Sequence, residues 1–308
     1  MMQTVLITGI AGFIGSHLAE RLVHDGVRVV GIKRPETDLW RIEHLKEQVS
    51  LYDADHDGIE RLFREHKVDA VIHLATHYIK HHTTTQETEE MLAANVVFPT
   101  TLCEYAVKQG VRYWINTGTF FEYDLTGKEP LRETSPEKSY NFYAATKRAF
   151  SDILRYFSDT NQLTVVDCRL FAPFGEKDNE KLVLFFIKSL LRGGHIDFSG
   201  GEQQWNFTYV GDIVEAYIRV LKKIALLQER YMVLNVGYNT TITLQELAKK
   251  LEQIAGKQLD ITWGAKPYIA NEIFYANCDN AKLRGVFDWE QQFDIDSGLR
   301  KTFEHYAH

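Results

Sequence analysis

The 308-residue chain has three cysteines, six prolines and no strong excess of either charge, with 35 Lys and Arg against 42 Asp and Glu, a formal −7. Cys103, Cys168 and Cys278 share no redox-motif or metal-ligand spacing. That excludes a disulfide scaffold and a zinc ribbon, and reads as small buried side chains of a reducing compartment. No Pro/Ser-rich, repetitive or low-complexity stretch interrupts the chain, so a second domain on a long tether is not expected. The most apolar stretch, Leu182 to Leu191, is too short for a bilayer and is broken by Lys188. Residues Gln3 to Thr8 read as a strand, not as the start of a cleavable leader. A mildly acidic chain is a poor general binder of nucleic acid, whose phosphates select basic surfaces. The expectation is a soluble, cytoplasmic protein with neither membrane nor nucleic acid as partner.

What is present is 44% hydrophobic residues in an ordered rhythm. Short apolar runs at Val5–Ile7, Val27–Ile32, Val49–Tyr52, Ala70–Leu74, Tyr113–Ile115 and Leu163–Val166 lack regular alternation, as strands covered on both faces do. Helical patterns lie between them at Phe13–Asp25, Gly58–His66, Thr88–Gln109 and Phe142–Thr160. This alternation predicts an α/β fold with a doubly wound parallel sheet. After Leu170 the rhythm changes to a helix at Leu182–Leu191, short strands near His195–Phe198 and Asn206–Val210, a helix at Gly211–Leu227 and a strand at Tyr231–Val236. Thr243 with Glu246 three residues on predicts a capped helix to about Ala255, and the tail predicts two short helices. We expect a dinucleotide-binding domain over 1–172, joined by 208–238, and a smaller C-terminal α+β substrate lobe over 173–207 and 239–308.

The first strand runs into Thr8-Gly9-Ile-Ala-Gly12-Phe13-Ile14-Gly15 and then a helix. Glycines so spaced allow a tight turn, close backbone approach to a pyrophosphate and close seating of the helix, whose N–H groups face the anion. The strand–loop–helix context makes this a nucleotide-cofactor signature. At the end of the second strand an NAD site would place an acid for the ribose 2′-hydroxyl, but the residues are Gly31-Ile32-Lys33-Arg34. Two cations suit a 2′-phosphate, so the expected cofactor is NADP(H), with Arg34 the better placed to stack and grip.

Tyr143-Ala-Ala-Thr-Lys147 opens a helix and puts both side chains on one face, a turn apart. A nearby ammonium stabilises a phenolate and lowers its pKa, which suits proton exchange at a carbonyl. The fifth strand ends in Asn116-Thr117-Gly118-Thr119-Phe120-Phe121-Glu122-Tyr123, with hydroxyls at the edge where such sheets bind ligands. With Asp53 after strand three, His73-Leu74-Ala75, Asn95, Arg169-Leu-Phe-x-x-Phe174-Gly175 and Phe207-Thr-Tyr209-Val210-Gly211-Asp212, the chain resembles the extended short-chain dehydrogenase/reductase family. Among its members the nucleotide-sugar 4-ketoreductases and epimerases are the nearest in pattern.

The resemblance implies Thr119, Tyr143 and Lys147 as the catalytic set. Thr119 would bind the sugar carbonyl, Tyr143 would supply the proton, and Lys147 would hold the nicotinamide ribose. It implies cofactor contacts at Gly9, Gly12, Phe13, Ile14, Gly15, Lys33, Arg34, Asp53, Leu74, Ala75 and Thr117. Substrate contacts are expected at Thr119, Phe120, Tyr78, Lys80, Lys177, Trp205 and Lys266. The histidines of the loop Thr76–Thr85 lack metal-ligand spacing with acids, so no metal is expected. Dehydratases of the family carry an Asp-Glu pair after the catalytic threonine, where Phe120 and Phe121 stand, and Glu122 is one residue late and would point elsewhere if the segment keeps strand geometry. An NADP(H) site favours a reductase over a 4-epimerase. A non-catalytic NADP-sensing regulator on the same fold usually lacks the tyrosine or the lysine, and both are present.

The family's diphosphate-binding arginine before the Phe-x-Tyr motif is replaced by Trp205, and the asparagine of its Arg-x-x-Asn motif by Ala172. The expected substrate is a nucleotide-linked 4-keto-6-deoxy or 3,6-dideoxy hexose. CDP is the first choice of carrier, on the segment Ile32 to Ile42, with dTDP, GDP or UDP as alternatives. Helices Thr88–Gln109 and Phe142–Thr160 lie where the family forms a homodimer.

Overall fold

The computed structural model describes residues 2–307. The chain forms two compact units, residues 1–124, 136–169 and 214–234 in one, and residues 125–135, 170–213 and 235–308 in the other.

The first unit is built on β1 (Thr4–Thr8), α1 (Phe13–His24), β2 (Arg28–Lys33), β3 (Val49–Asp53), α2 (His56–Glu65) and β4 (Ala70–His73). It continues with α3 (Thr85–Leu92), α4 (Phe98–Lys108), β5 (Tyr113–Thr119), α5 (Phe142–Thr160) and β6 (Thr164–Leu170). The seven-stranded sheet runs, edge to edge, as Tyr231–Val236, β6, β5, β4, β1, β2, β3. β3, β2, β1, β4 and β5 pair in parallel, with Val5 opposite both Val29 and Ala70. All five residues of β1 are buried, as its uninterrupted apolar run demands for a central strand covered on both faces. Leu6, Val30, Val71, Trp114 and Val165 from the strands, with Leu62, Leu102, Phe150 and Leu154 from the helices, form one continuous core. Strand order reverses at β1, with β2 on one side and β4 on the other, so the carboxyl ends of β1 and β4 flank the crevice where such sheets bind ligands.

The stretch Thr88–Gln109 is not one regular helix. α3 gives way to a π-helical turn at Ala93–Val97 before α4 resumes with Pro99 in its first turn.

The second unit holds helices Leu182–Arg192, Leu244–Ala255, Ala281–Phe287 and Ile295–Ala307 and strands of two residues each. Thr243 and Glu246 make the expected capping box, and Gly256 closes that helix in the left-handed conformation. Asp212 is its central polar anchor, accepting from the Tyr238 hydroxyl at 2.7 Å and the backbone N–H groups of Gln292 and Phe293 at 2.8 and 3.1 Å. The three cysteines are free and buried. Among the described residues no helix is long and apolar enough to cross a membrane, and no group of His, Cys, Asp and Glu is placed to hold a metal.

Candidate active site

The glycine loop is held open by contacts that tolerate no side chain. Gly9 has φ +69°, and a Cβ there would lie 2.8 Å from the Ala75 nitrogen. A Cβ on Gly15 would come within 2.2 Å of the Gly9 carbonyl oxygen, so the first turn of α1 seats directly on the loop. No side chain caps α1, whose N-cap is Gly12. The helix therefore keeps orphan N–H groups and a positive dipole end for an anion. This cradle, too tight for any Cβ, fits a dinucleotide pyrophosphate.

Thr8 ties the loop to the end of β4. Its hydroxyl oxygen accepts from the Leu74 and Ala75 amides, both at 3.2 Å, and pairs with His73 Nδ1 at 2.7 Å. Because both amides donate to it, the hydroxyl proton goes to Nδ1, and His73 is the neutral Nε2–H tautomer. Burial holds its pKa well below the ordinary value, and the nearby Lys147 charge adds to that. Leu74 and Ala75 thus lie against the glycine loop.

At the end of β2 the Lys33 ammonium meets Asp53 Oδ1 at 2.6 Å, and the Arg34 guanidinium meets exposed Glu36 at 3.2 Å. A third cation accompanies them. Arg41 lies over the Trp40 ring at 4.5 Å and reaches the Ala11 carbonyl of the glycine loop at 3.5 Å. Sequence reading passed over Arg41 as a site residue, because nothing in spacing alone brings a 3₁₀ turn after β2 back to the loop.

Asn141 caps α5 by accepting from the Ala144 N–H at 2.9 Å, which fixes Tyr143 and Lys147 in its first two turns. Lys147 is buried, and burial lowers its pKa against the opposing charges of Glu122 and Asp167. The Tyr143 phenol is pushed up, not down. Burial is the largest cause, Glu122 and Tyr78 add to it, and a hydrogen bond with Thr76 opposes it. The lowered phenol expected from a neighbouring ammonium is absent here, because burial of the phenol dominates. The Tyr78 ring stands edge-on to Tyr143 at 4.8 Å, and the Lys80 carbonyl lies 3.5 Å from the Asn141 amide.

β5 ends at Thr119, which caps a 3₁₀ turn over Phe120–Glu122 by accepting from the Phe121 N–H at 3.3 Å. Glu122 folds back beneath it and accepts from the Thr119 N–H at 2.7 Å, with its second oxygen 3.5 Å from Arg169. It therefore points inward, fully buried; the segment leaves strand geometry at Thr119, so the condition on which it was expected to point elsewhere is not met. Burial, reinforced by Asp167, pushes its pKa up to about 8. Phe120 is buried against Phe121 at 4.4 Å. The Thr117 hydroxyl is engaged by Tyr217 at 2.6 Å.

Residues 5–237 match the NAD dependent epimerase/dehydratase family. The chain belongs to this family. CDP-abequose synthase of Salmonella muenchen is 28% identical over 305 residues, covering 97% of this chain and 96% of that one. The crystal structure of Thermotoga maritima UDP-glucose 4-epimerase with UDP-glucose superposes with a TM-score of 0.87 at 25% identity, over 98% of each chain. MoeE5, solved with UDP-glucuronic acid and NAD, gives 0.82 at 25% identity, again over 98% of each. This epimerase/dehydratase-family protein is thus a nucleotide-sugar-modifying enzyme of the oxidoreductase type, working with a nicotinamide cofactor.

The remaining expected substrate residues of this family member lie in the second unit. Trp205 is half-buried, its indole N–H donating to the Ile273 carbonyl at 2.9 Å. Lys266 is exposed. Lys177 has φ +60° and Ala172 φ +24°, so the segment around Phe174-Gly175 holds two non-glycine residues in a conformation L side chains rarely adopt.

Proposed function

We propose that the protein is an NADPH-dependent 4-ketoreductase, reducing a CDP-linked 4-keto-6-deoxy or 3,6-dideoxy hexose to the 4-hydroxy sugar. The observation that carries this reading is the end of β2, where Lys33 and Arg34 occupy the positions at which an NAD site would carry its acid. Arg41 adds a third cation, within reach of the Ala11 carbonyl of the glycine loop. A site for a 2′-phosphate suits an enzyme that draws hydride from the NADPH pool. The likeness to CDP-abequose synthase supports a CDP carrier.

The nicotinamide, when bound, supplies the hydride. Tyr143 gives its phenolic proton to the ketone oxygen, and Lys147 holds the cofactor ribose and stabilises the phenolate left behind. Thr119 binds the carbonyl. Phe120 and Phe121 have no proton to exchange, and the Glu122 carboxyl is fully buried, so no acid of this turn serves an elimination. Gly9, Gly12, Phe13, Ile14, Gly15, Asp53, Leu74, Ala75 and Thr117 line the cofactor path. Tyr78, Lys80, Lys177, Trp205 and Lys266 are the substrate contacts of this reading.

Incubation with NADPH and a CDP-4-keto-6-deoxy sugar should give stoichiometric loss of the reduced-nicotinamide absorbance. Tyr143→Phe should abolish it with NADPH binding intact. Joint replacement of Lys33 and Arg34 by alanine should raise KM for NADPH far more than for NADH, and equal effects would overturn the cofactor assignment. A 4-epimerase is the second reading, favoured by the Thermotoga maritima superposition. Interconversion of 4-epimers without net NADPH loss would select it. The protein is further proposed to work as a homodimer in the cytoplasm, with exposed Leu92, Val97 and Tyr156 at the partner face.

A further inference from the structure

Thr119 is held from two sides by its own turn. Its N–H donates to Glu122 Oε1 at 2.7 Å, and its hydroxyl oxygen accepts from the Phe121 N–H at 3.3 Å. A hydroxyl has one proton and two lone pairs, so an oxygen that accepts this N–H still has its own proton to give. The turn is also tied to the segment that leads into α5. The Lys138 N–H donates to the Glu122 carbonyl and the Tyr140 N–H to the Phe121 carbonyl, both at 2.9 Å. Asn141 follows as the cap of α5, two residues before Tyr143. The threonine hydroxyl and the phenol are thus carried on one hydrogen-bonded frame.

The Glu122 carboxyl sits in that frame at a disadvantage. It is fully buried, and among the described residues its Oε2 finds no hydrogen-bond donor. Arg169, equally buried, stands 3.5 Å from Oε2 but spends its Nη2 on Glu137 at 2.5 Å, and its guanidinium lies over the Tyr123 ring at 4.5 Å. A half-satisfied buried acid destabilises a fold, and an apolar side chain of similar volume would avoid the penalty. The sequence even keeps a glycine at 118 to make room for it. Such local concessions cluster where a site needs them. The one full hydrogen bond of this carboxyl goes to Thr119. We propose that Glu122 is a positioning residue for Thr119. By taking the N–H it holds Thr119 extended, at φ −145° and ψ 147°, and so sets the direction in which the hydroxyl proton is offered to the sugar carbonyl.

This inference rests on Thr119 as the carbonyl-binding residue, and a double-mutant cycle on the full-length protein separates the two. With NADPH and a CDP-4-keto-6-deoxy sugar, Glu122→Ala should lower kcat about tenfold, the rate equivalent of one hydrogen bond, with KM for NADPH unchanged. Glu122→Gln, which keeps an acceptor for the N–H, should restore most of the rate. Added to Thr119→Val, Glu122→Ala should lower kcat no further, because the hydroxyl it directs is gone. Gly118→Ala runs the same cycle should Glu122→Ala not fold, since its Cβ would lie 2.7 Å from Oε1 and displace the carboxyl without removing it. Full activity in Thr119→Val overturns the role of Thr119 and the inference with it. A wild-type enzyme that interconverts epimers without consuming NADPH overturns the reductase reading alone, and the same cycle is then read on the interconversion. An unchanged kcat in Glu122→Ala, or a loss that persists in full beside Thr119→Val, overturns the inference itself.

Discussion

Glu122 was the residue least legible in the sequence. Read as part of a strand, it alternates away from Thr119. The chain instead leaves the strand at Thr119 and closes a capping box over three residues, which returns the carboxylate under the Thr119 N–H. Gly118 makes the room, since a Cβ there would lie 2.7 Å from Glu122 Oε1. Among the groups around it, Arg169 and Lys147 favour the charged form, while burial and Asp167 disfavour it and prevail. Unfolded, the acid titrates near 4.5, and in the fold near 8. Between those values the native state holds a proton that the unfolded state has lost, so this group's contribution to stability falls as pH rises. Glu122→Gln keeps an acceptor for Thr119 and removes the titration. Denaturant unfolding across that window should show the variant gaining on the wild type with rising pH. Parallel curves would reject the assignment.

At the scale of elements, regular periodicity read well and exceptions did not. The strands of the glycine-loop sheet, α1, α5 and the Thr243 capping box all announce themselves through apolar runs, caps and spacing. The π turn does not, because nothing in the composition of Ala93–Val97 marks its extra residue. Its purpose shows only in three dimensions, in the four hydrogen bonds of Asn95. Deleting Val96 should let the turn relax to an α-helix and rotate Asn95 by about 100° relative to α4. The His77 amide would lose its partner, and hydrogen exchange there should quicken while the α2 amides stay protected. Unchanged exchange at His77 would show that the turn is incidental. The capping box at Thr84 and Glu87 was likewise missed, because the loop before it offers three threonines in a row as candidate caps.

For the molecule as a whole, the sheet order follows from the βαβ alternation, since right-handed crossovers leave few arrangements. The unit boundaries follow less directly. The segment 125–135 belongs with the second unit although its neighbours on both sides belong to the first, and no change of composition marks it. The proposed dimer is tested at this scale. Val97 and Tyr156 are 60% and 64% exposed, unusual for large apolar side chains on neighbouring helices. Joint replacement of both by glutamate should convert a sedimenting dimer to monomer, and a wild type that already sediments as monomer would refute the proposal.

The Lys33–Asp53 pair has a consequence for discrimination between nucleotides. A carboxylate 2.6 Å from the ammonium is a resident competitor for any incoming anion. On the proposed NADP(H) reading a 2′-phosphate has to displace it to reach Lys33, whereas a neutral ribose hydroxyl gains little by doing so, so the carboxylate weighs on the phosphorylated nucleotide. Asp53→Asn would remove that rival, and the ratio of the Kd for AMP to that for 2′,5′-ADP should widen. Selectivity would then be held back by a contact that the bound state has to break.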